Sequence, residues 1–345
     1  MSESLEQSIE VLKAIAEESR LRILAVCSLG ELSVTELTRI LGQSQPRVSR
    51  HLKVLLSAGL LLRFRERQSV LYRAVVRGDE GALIRQAISM IPVDDHQLAR
   101  DRERLAEIRA ERARAAASYL RFHAEDWHRL LDANIGTGEF AHAVLDTVQG
   151  VRGGHLGELL DIGTGTGRIL KLLGRHAESA VGIDLDAEML KVARAALHES
   201  GLDACAMVRQ GDMYQLPFAT ASFDTVTMDQ ILFEAERPAQ VVSEAARVLK
   251  ADGCLLIVDF ACASATKALD GGRQFGVRES DVEEWLRRAG LTSQSTTRLA
   301  GESLTVMLTI AQRAAARPQT PTTLVGSEAQ PERLPMAGLQ SRSPA

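Results

Sequence analysis

The chain has 345 residues, a formal net charge of -4 and 45% hydrophobic residues, which together favour two ordinary globular domains over one domain or a disordered chain. No window holds about 18 consecutive apolar residues, and the N-terminus lacks a basic start before an apolar run. We therefore expect no membrane segment and a cytoplasmic location. Structural zinc and a disulfide framework are not expected, because no CxxC or CxC pair occurs among Cys27, Cys205, Cys254 and Cys262.

The N-terminal part predicts a series of short helices. Residues 5–27 carry apolar positions at helical spacing with one interruption, which indicates two helices. Ser33 and Glu36 form a capping-box arrangement at the start of a third helix, which should end at Gly42. This order of elements is typical of a compact helical module.

A fourth helix and a hairpin follow. Ser44 is the predicted N-cap of this helix, with Pro46 in its first turn and Gly59 as its stop. Aliphatic and aromatic residues then flank a polar turn within residues 60–76, as in a β-hairpin. Residues 79–92 predict one more amphipathic helix, a candidate dimerisation element. The whole order is that of a winged helix-turn-helix.

The charge of this module is uneven. Residues 40–77 contain eight lysines and arginines and one acid, Glu66. Such a cationic segment is usually a solvated face, so charge alone does not establish DNA binding. The order of helices and strands has to supply the rest of the argument.

The remaining chain divides into three further parts. Residues 93–118 are charged and helix-favouring with few bulky apolar residues, which predicts an exposed helical linker between domain 1–92 and domain 119–316. Residues 317–345 are rich in proline, threonine, serine and glutamine and are expected to be a disordered tail.

From Glu158 onward, strands and helices alternate. The strand candidates are LLDIG, AVGID, AMVRQGD, FDTVTMD and CLLIVDF, and helical stretches separate them. This pattern predicts a parallel, doubly wound α/β sheet. A further helix and two alternating segments after Val282 predict a final antiparallel hairpin at the sheet edge.

A glycine turn joins the first of these strands to a helix. Gly163, Gly165 and Gly167 place free backbone N–H groups at a helix N-terminus, where a polar or anionic group can bind. The spacing excludes a dinucleotide motif, because Arg168 stands where the last glycine would be, and it excludes a phosphate-binding P-loop. Asp161, just before the turn, suits a cationic ligand group.

Two more strand ends carry acids. Asp184 follows Gly167 by 17 residues, where a carboxylate accepts hydrogen bonds from both ribose hydroxyls. Asp212 and Met213 end the third strand and offer a carboxylate and a thioether to an adenine.

These features resemble class I S-adenosylmethionine-dependent methyltransferases. The resemblance rests on D-x-G-x-G-x-G at 161–167, the acid at Asp184, GDM at 211–213, LPF at 216–218 and FDTVTMDQIL at 223–232, in this order along the chain. It implies a Rossmann-like sheet, methyltransferase activity and S-adenosylmethionine as cofactor. The site residues that it implies are Asp161, Gly163, Thr164, Gly165, Gly167, Asp184, Leu185, Asp212, Met213, Met228 and Asp229.

The resemblance also assigns roles. Gly163, Gly165 and Asp161 would hold the methionine part and the turn, Asp184 the ribose, and Asp212 with Met213 the adenine. Met228 and Asp229 would close the pocket, and Asp229 is a cofactor contact, a solvated acid or a general base. Small-molecule members of the family often have a histidine-rich stretch where this chain reads DQILFEAERP, so the acceptor and the catalytic residue stay unassigned.

Residues 8–75 resemble the ArsR-type winged-helix repressors. The motifs are LKAIAEESRLRILAVC, ELSVTEL and SQPRVSRHLKVLLSAGLL, followed by the hairpin, which would be the wing. The resemblance implies a homodimer that binds a double-stranded DNA operator. The DNA-binding residues would be Ser44, Gln45, Arg47, Ser49, Arg50, His51 and Lys53 on the recognition helix and Arg63, Arg65 and Arg67 on the wing. For His51, packing inside the helix-turn-helix is an equal alternative.

Metal-sensing relatives carry thiols where this chain has Ser33 and Thr35, so no metal site is expected. Two functional hypotheses remain, and both can hold at once. In the first, a dimeric regulator senses S-adenosylmethionine or S-adenosylhomocysteine through the second domain. In the second, an active small-molecule methyltransferase uses the winged helix for dimerisation or docking. An arsenic methyltransferase would need converging thiols, and only Cys205, Cys254 and Cys262 lie in that domain.

Overall fold

The computed structural model describes residues 5–123, 136–262, 276–301 and 304–313, and the side chains of all of these except 120–123. The predicted tail at 317–345 lies outside the described residues. Among the helices of the described ranges, none is both long and apolar enough to cross a bilayer. The described residues all belong to one compact unit.

The N-terminal part is a winged helix-turn-helix with a small antiparallel sheet in the order β1-β3-β2. Its Ser33–Glu36 capping box is present as predicted, and Gly42 ends helix α3 in the left-handed conformation. Ser44 occupies the predicted N-cap position of α4, but its side chain makes no capping hydrogen bond. The elements are α1 (Leu5–Ile15), α2 (Glu18–Cys27), β1 (Leu32–Ser33), α3 (Val34–Leu41), α4 (Gln45–Ser57), β2 (Leu61–Glu66), β3 (Ser69–Ala74) and α5 (Gly78–Ser89).

Helix α6 (His96–His123) covers the predicted linker, but the prediction that it is exposed is wrong for one face. Leu105 and Ile108 are buried in the core of the winged helix, and Leu98 is buried as well. Asp101, on the same stripe, is fully buried and accepts hydrogen bonds from Arg22 at 2.7 and 2.8 Å. Three apolar residues among many charged ones are enough to bury a helix when their spacing places them on one side.

The second domain is a seven-stranded sheet in the order β6-β5-β4-β7-β8-β10-β9. Strands β4 to β8 are parallel, and β10 lies antiparallel between β8 and β9, which confirms the predicted sheet and final hairpin. Its elements are α7 (Thr137–Arg152), β4 (Glu158–Ile162), α8 (Arg168–Leu173), β5 (Ser179–Asp184), α9 (Ala187–Glu199), β6 (Ala206–Gln210), β7 (Phe223–Asp229), α10 (Pro238–Val248), β8 (Leu249–Phe260), α11 (Glu279–Arg288), β9 (Leu291–Ala300) and β10 (Thr305–Arg313).

The strand order reverses between β4 and β7. In an open parallel sheet, connections leave the two central strands toward opposite faces at such a point, which creates a crevice beyond their carboxyl ends. Apolar clusters on both faces of the sheet fix these strands. The residues that follow β4, β5, β6 and β7 therefore meet at one edge.

Candidate functional site

The turn between β4 and α8 forms the floor of the site. Gly163 and Gly165 have φ values of +68° and +52°, a left-handed conformation that favours glycine. A Cβ atom on Gly163 would lie 2.4 Å from Cγ2 of Ile231. Ile231, in the segment after β7, therefore lies closer to the turn than a side chain at position 163 would permit.

Asp161 supports this turn from inside the protein. Its carboxylate is buried and accepts hydrogen bonds from Oγ1 of Thr164 at 2.6 Å and from Oγ1 of Thr227 at 2.7 Å. Burial raises the pKa of Asp161 to about 7. Asp161 does not line the cavity that lies beside this turn. It therefore supports the turn from behind.

Asp184, at the end of β5, faces the cavity. Its Oδ2 accepts a hydrogen bond from the N–H of Gly165 at 2.8 Å, and its Oδ1 accepts one from the N–H of Asp186 at 2.8 Å. Burial raises the pKa of this carboxyl group. Asp184 thus ties the glycine turn to the start of helix α9 at the wall of the cavity.

The cavity has a volume of about 650 Å³, within the range of sites for small molecules and cofactors. Three residues predicted to contact a cofactor do not line it. Besides Asp161, Met228 is fully buried in the core, and Gly167 faces Ala193, whose Cβ would be 3.3 Å from an added Cβ. The predicted residues that do line it are Gly163, Thr164, Gly165, Asp184, Leu185, Asp212, Met213 and Asp229.

Arg168 was missed as a site residue, and it determines the surroundings of Asp229. Its guanidinium donates to both carboxylate oxygens of Asp229, at 3.1 Å each, and its Cζ lies 3.9 Å from the centre of the Phe140 ring. A base role for Asp229 would require this ion pair to open. The geometry therefore favours Asp229 as part of the cavity wall.

The segment after β7 supplies half of the other lining residues that the sequence analysis missed. Gln230 has a φ of +58°, rare for a residue with a side chain, and its Nε2 is buried without a hydrogen-bond partner among the described residues. The sheet topology could have identified this segment, because it follows a central strand at the edge where the crevice forms. The further lining residues include Met189, Tyr214, Gln230, Ile231, Phe233 and Glu236.

Asp259 of β8 holds this segment in place. Its Oδ2 accepts hydrogen bonds from the N–H groups of Leu232 and Phe233 at 3.0 and 3.3 Å, and its Oδ1 accepts one from the N–H of Phe260 at 2.8 Å. Burial raises the pKa of Asp259 to about 7. The cavity wall at 231–233 therefore depends on one buried carboxyl group.

Helix α4 presents the predicted DNA-reading surface. Val48, Leu52 and Leu55 face the core. His51 is half-buried, with Nδ1 3.4 Å from a carboxylate oxygen of Glu17, which agrees with the packing alternative for this residue. The predicted residues that are exposed on or next to α4 are Ser44, Gln45, Arg47, Ser49, Arg50 and Lys53.

The tip of the wing contacts the second domain. The N–H of Arg67 donates to Oε1 of Gln210 at 2.8 Å, and its guanidinium lies 3.4 Å from Asp186 and 3.5 Å from Glu188. Arg63 and Arg65 are exposed. Of the three predicted DNA-contacting arginines of the wing, Arg67 is thus paired with acids next to the ligand cavity.

Two family models match the chain. Residues 17–61 match the model described as "Bacterial regulatory protein, arsR family", and residues 160–257 match the model described as "Methyltransferase domain". The chain thus contains an ArsR-family helix-turn-helix domain and a class I methyltransferase domain that is homologous to S-adenosylmethionine-dependent methyltransferases.

Individual relatives match the second domain. Phosphatidylethanolamine N-methyltransferase of Cereibacter sphaeroides is 39% identical over 103 residues, 30% of this chain and 50% of the relative. The ubiquinone/menaquinone biosynthesis C-methyltransferase UbiE of Saccharophagus degradans is 34% identical over 116 residues, 33% of this chain and 46% of the relative. The chain spans about half the length of these relatives.

A solved structure of magnesium protoporphyrin IX methyltransferase (ChlM) from Synechocystis PCC 6803 with bound SAH is also similar. It is 20% identical, with a TM-score of 0.45, over 57% of this chain and 97% of that chain.

Proposed function

We propose that this chain, which joins an ArsR-family helix-turn-helix domain to a class I methyltransferase domain, is a dimeric cytoplasmic transcriptional regulator that binds S-adenosylmethionine or S-adenosylhomocysteine. In this proposal, α4 reads an operator in double-stranded DNA, and the occupancy of the cavity changes the affinity for DNA. If the ligand raises the affinity for DNA, the protein stays on its operator; if the ligand lowers that affinity, the protein is released from it.

The cavity suits such a ligand. Gly163 and Gly165 line the cavity without side chains, which leaves the backbone of the turn open to the methionine part, and Asp184 has two oxygens for ribose hydroxyls. Asp212 and Met213 extend the wall where the adenine would lie. When bound, S-adenosylmethionine supplies an electrophilic methyl group on a sulfonium, and the residues of this chain bind and orient it.

The observation that carries the proposal is a set of contacts centred on Asp186. Its N–H donates to Asp184 in the cavity wall. Its carboxylate pairs with Arg67 of the wing and accepts a hydrogen bond from the Tyr119 hydroxyl of α6 at 3.2 Å. A ligand that bonds to the oxygens of Asp184 shares them with the N–H of Asp186, so one hydrogen bond separates it from the residue that contacts the wing. Coupling of this kind requires only that the ligand prefer one arrangement.

The test is calorimetric titration of S-adenosylmethionine and of S-adenosylhomocysteine into the full chain, with and without a DNA fragment from its own promoter. We expect at least one ligand to bind and its affinity to change when DNA is present. Linkage demands that DNA affinity change by the same factor when the ligand is added. Binding of the ligand with one affinity under both conditions would contradict the coupling.

The dimer is supported by exposed apolar side chains on two elements of the winged helix. Leu5 and Leu12 of α1 are 79% and 54% exposed, and Met90 and Val93 after α5 are 76% and 88% exposed. Apolar side chains that share an exposed surface mark protein contacts. Sedimentation of the full chain tests this part of the proposal.

A second candidate function is an active small-molecule methyltransferase whose winged helix serves dimerisation or docking. The observation that favours it is that the cavity extends from the glycine turn to the segment after β7. There Phe233 and Glu236, together with Tyr214 from the segment after β6, add an aromatic and acidic wall. Its relatives in Cereibacter and Saccharophagus are an N-methyltransferase and a C-methyltransferase by name. Transfer of a labelled methyl group from S-adenosylmethionine to small amines or quinols would establish it.

The arsenic methyltransferase alternative gains no support. Among the described residues that line the cavity there is no cysteine. Cys254 is fully buried, and burial raises the pKa of its thiol. A buried neutral thiol in the sheet is a poor ligand for arsenic.

A further inference from the structure

The wing is a two-stranded ribbon, so its side chains alternate between two faces. The register pairs Phe64 with Leu71 and Glu66 with Ser69 on one face, and Arg63 with Tyr72 and Arg65 with Val70 on the other. Side chains directly opposite one another in an antiparallel pair point to the same side. Each face can therefore be followed separately.

The face that carries Phe64 and Glu66 is turned to the methyltransferase domain. Glu66 forms an ion pair with Arg194 of α9, and both residues are buried. Arg73, on the same face, donates to the carbonyl oxygen of Ala206 at 2.8 Å and to that of Asp203. The guanidinium of Arg209 lies 5.5 Å from the centre of the Phe64 ring.

The opposite face is turned to the winged helix itself. Leu61, Tyr72 and Ala74 belong to the same buried cluster as Val48 and Leu55 of α4. This face also carries Arg63, opposite Tyr72, and Arg65, opposite Val70, and both arginines are exposed. These two arginines thus lie on the side of the wing where the recognition helix packs.

Arg67, at the end of the ribbon, belongs to neither face. It adopts a φ of +50°, and its main chain and side chain both contact the methyltransferase domain at Gln210, Asp186 and Glu188. Two acids beside its guanidinium make a further approach to a DNA phosphate unfavourable.

From this arrangement we infer that the wing contacts both partners at once, on opposite faces. Arg63 and Arg65 bind the DNA backbone beside the recognition helix. Phe64, Glu66 and Arg73 bind the methyltransferase domain. Arg67 binds Asp186, Glu188 and Gln210 of that domain and no phosphate. The inference rests on the proposed function for its DNA partner. It goes further, because it divides three arginines of one hairpin between two tasks.

The test is the salt dependence of DNA binding, measured by fluorescence anisotropy with a mixed-sequence DNA duplex. The slope of log K against log salt counts phosphate contacts whatever the sequence, at about 0.9 per contact. We expect R63A and R65A each to reduce the slope by about that amount, and R67A to leave it unchanged. The matched control is R287A, which removes an exposed arginine of α11 that is paired with Glu284. Its slope should equal that of the native chain.

A second arm adds S-adenosylmethionine to the same assay. R67A should bring the ratio of DNA affinities with and without the ligand toward one, whereas R63A and R65A should keep the native ratio. A loss of slope in R67A equal to that in R63A would overturn the division, as would native slopes in both R63A and R65A. If the native chain binds DNA with the same affinity with and without ligand, the proposed coupling fails, but the slopes still decide which arginines contact DNA.

Discussion

Glu66 of the wing and Arg194 of helix α9 form an ion pair across the boundary of the two domains, and solvent barely reaches it: the two residues are 7% and 9% exposed. Nη1 of Arg194 donates to Oε1 of Glu66 at 3.0 Å, and Nη2 donates to Oε2. Glu31 lies 3.6 Å from Nε of Arg194 and also pairs with Arg73 at 3.0 Å. Two acids and two arginines thus balance one another at the junction of the domains.

The substitution E66Q should destabilise the chain. Without the charge of Glu66, two buried arginines share one acid, Glu31, and this imbalance should cost about 3 kcal/mol in the free energy of unfolding. The matched control is E111Q, which breaks the exposed pair between Glu111 and Arg39 and should change little. Denaturant unfolding of both variants measures the difference, and equal losses would show that the boundary pair is solvated.

The substitution D161N should change how stability depends on pH. The pKa of Asp161 is raised from 3.8 to about 7, so between these values the folded chain holds a proton that the unfolded chain has lost. Stability therefore falls as pH rises through this window and levels off above it. The hydroxyl groups of Thr164 and Thr227 can bond to an amide as well as to a carboxyl group.

D161N should accordingly fold and show a shallower decline of unfolding free energy with pH than the native chain. The decline should not vanish, because Asp259 also has a pKa raised to about 7. Thermal unfolding across the window from 3.8 to about 7 measures both curves. Parallel curves would mean that Asp161 ionises normally in the folded chain.

The substitution D259N should be more harmful than D161N, although both replace a buried carboxyl group. The partners of Asp259 are backbone N–H groups of Leu232, Phe233 and Phe260, which can only donate. The NH₂ group of an asparagine would face a donor, leaving an unsatisfied group at a cost of about 1–3 kcal/mol. Hydrogen exchange at Leu232 and Phe233 should accelerate in D259N and stay native in D161N. Native exchange in D259N would exclude a supporting role.

The two glycines of the turn should differ in their tolerance of alanine. Both have positive φ, which costs an alanine about 1–2 kcal/mol. At Gly163 a Cβ would also lie 2.4 Å from Ile231, whereas at Gly165 the nearest atom is 4.0 Å away. G163A should thus be less stable than G165A and should lose more affinity for S-adenosylmethionine in calorimetry. Both should bind DNA normally without ligand, and a loss of that binding would argue for a general folding defect.

The sequence was informative where local chemistry determines the structure. The capping box at Ser33, the stop at Gly42 and the glycine turn depend on nearby residues, and each is present in the fold. The parallel sheet and its final antiparallel hairpin followed from the alternation of strands and helices. Eight cavity residues were predictable, because they follow strands that end at one edge of the sheet.

The remaining residues were misplaced because side-chain direction, or a contact between distant segments, determines their surroundings. Met228 and Asp229 are neighbours in the chain, yet the alternation along β7 sends Met228 into the core and leaves Asp229 in the cavity wall. The pairing of Arg67 with Asp186 joins residues 119 positions apart, and no local sequence pattern predicts it. The buried face of α6 was hidden by its charged neighbours, since average composition does not show spacing.

Helix α6 has one further consequence. Its 28 residues span about 42 Å at 1.5 Å per residue; near its start Asp101 neutralises Arg22 inside the winged helix, and near its end Tyr119 reaches Asp186 of the other domain. A chain cut at residue 92 would lose Asp101, the buried acid that pairs with Arg22. A transplanted ArsR-type module would therefore need to bring this helix with it.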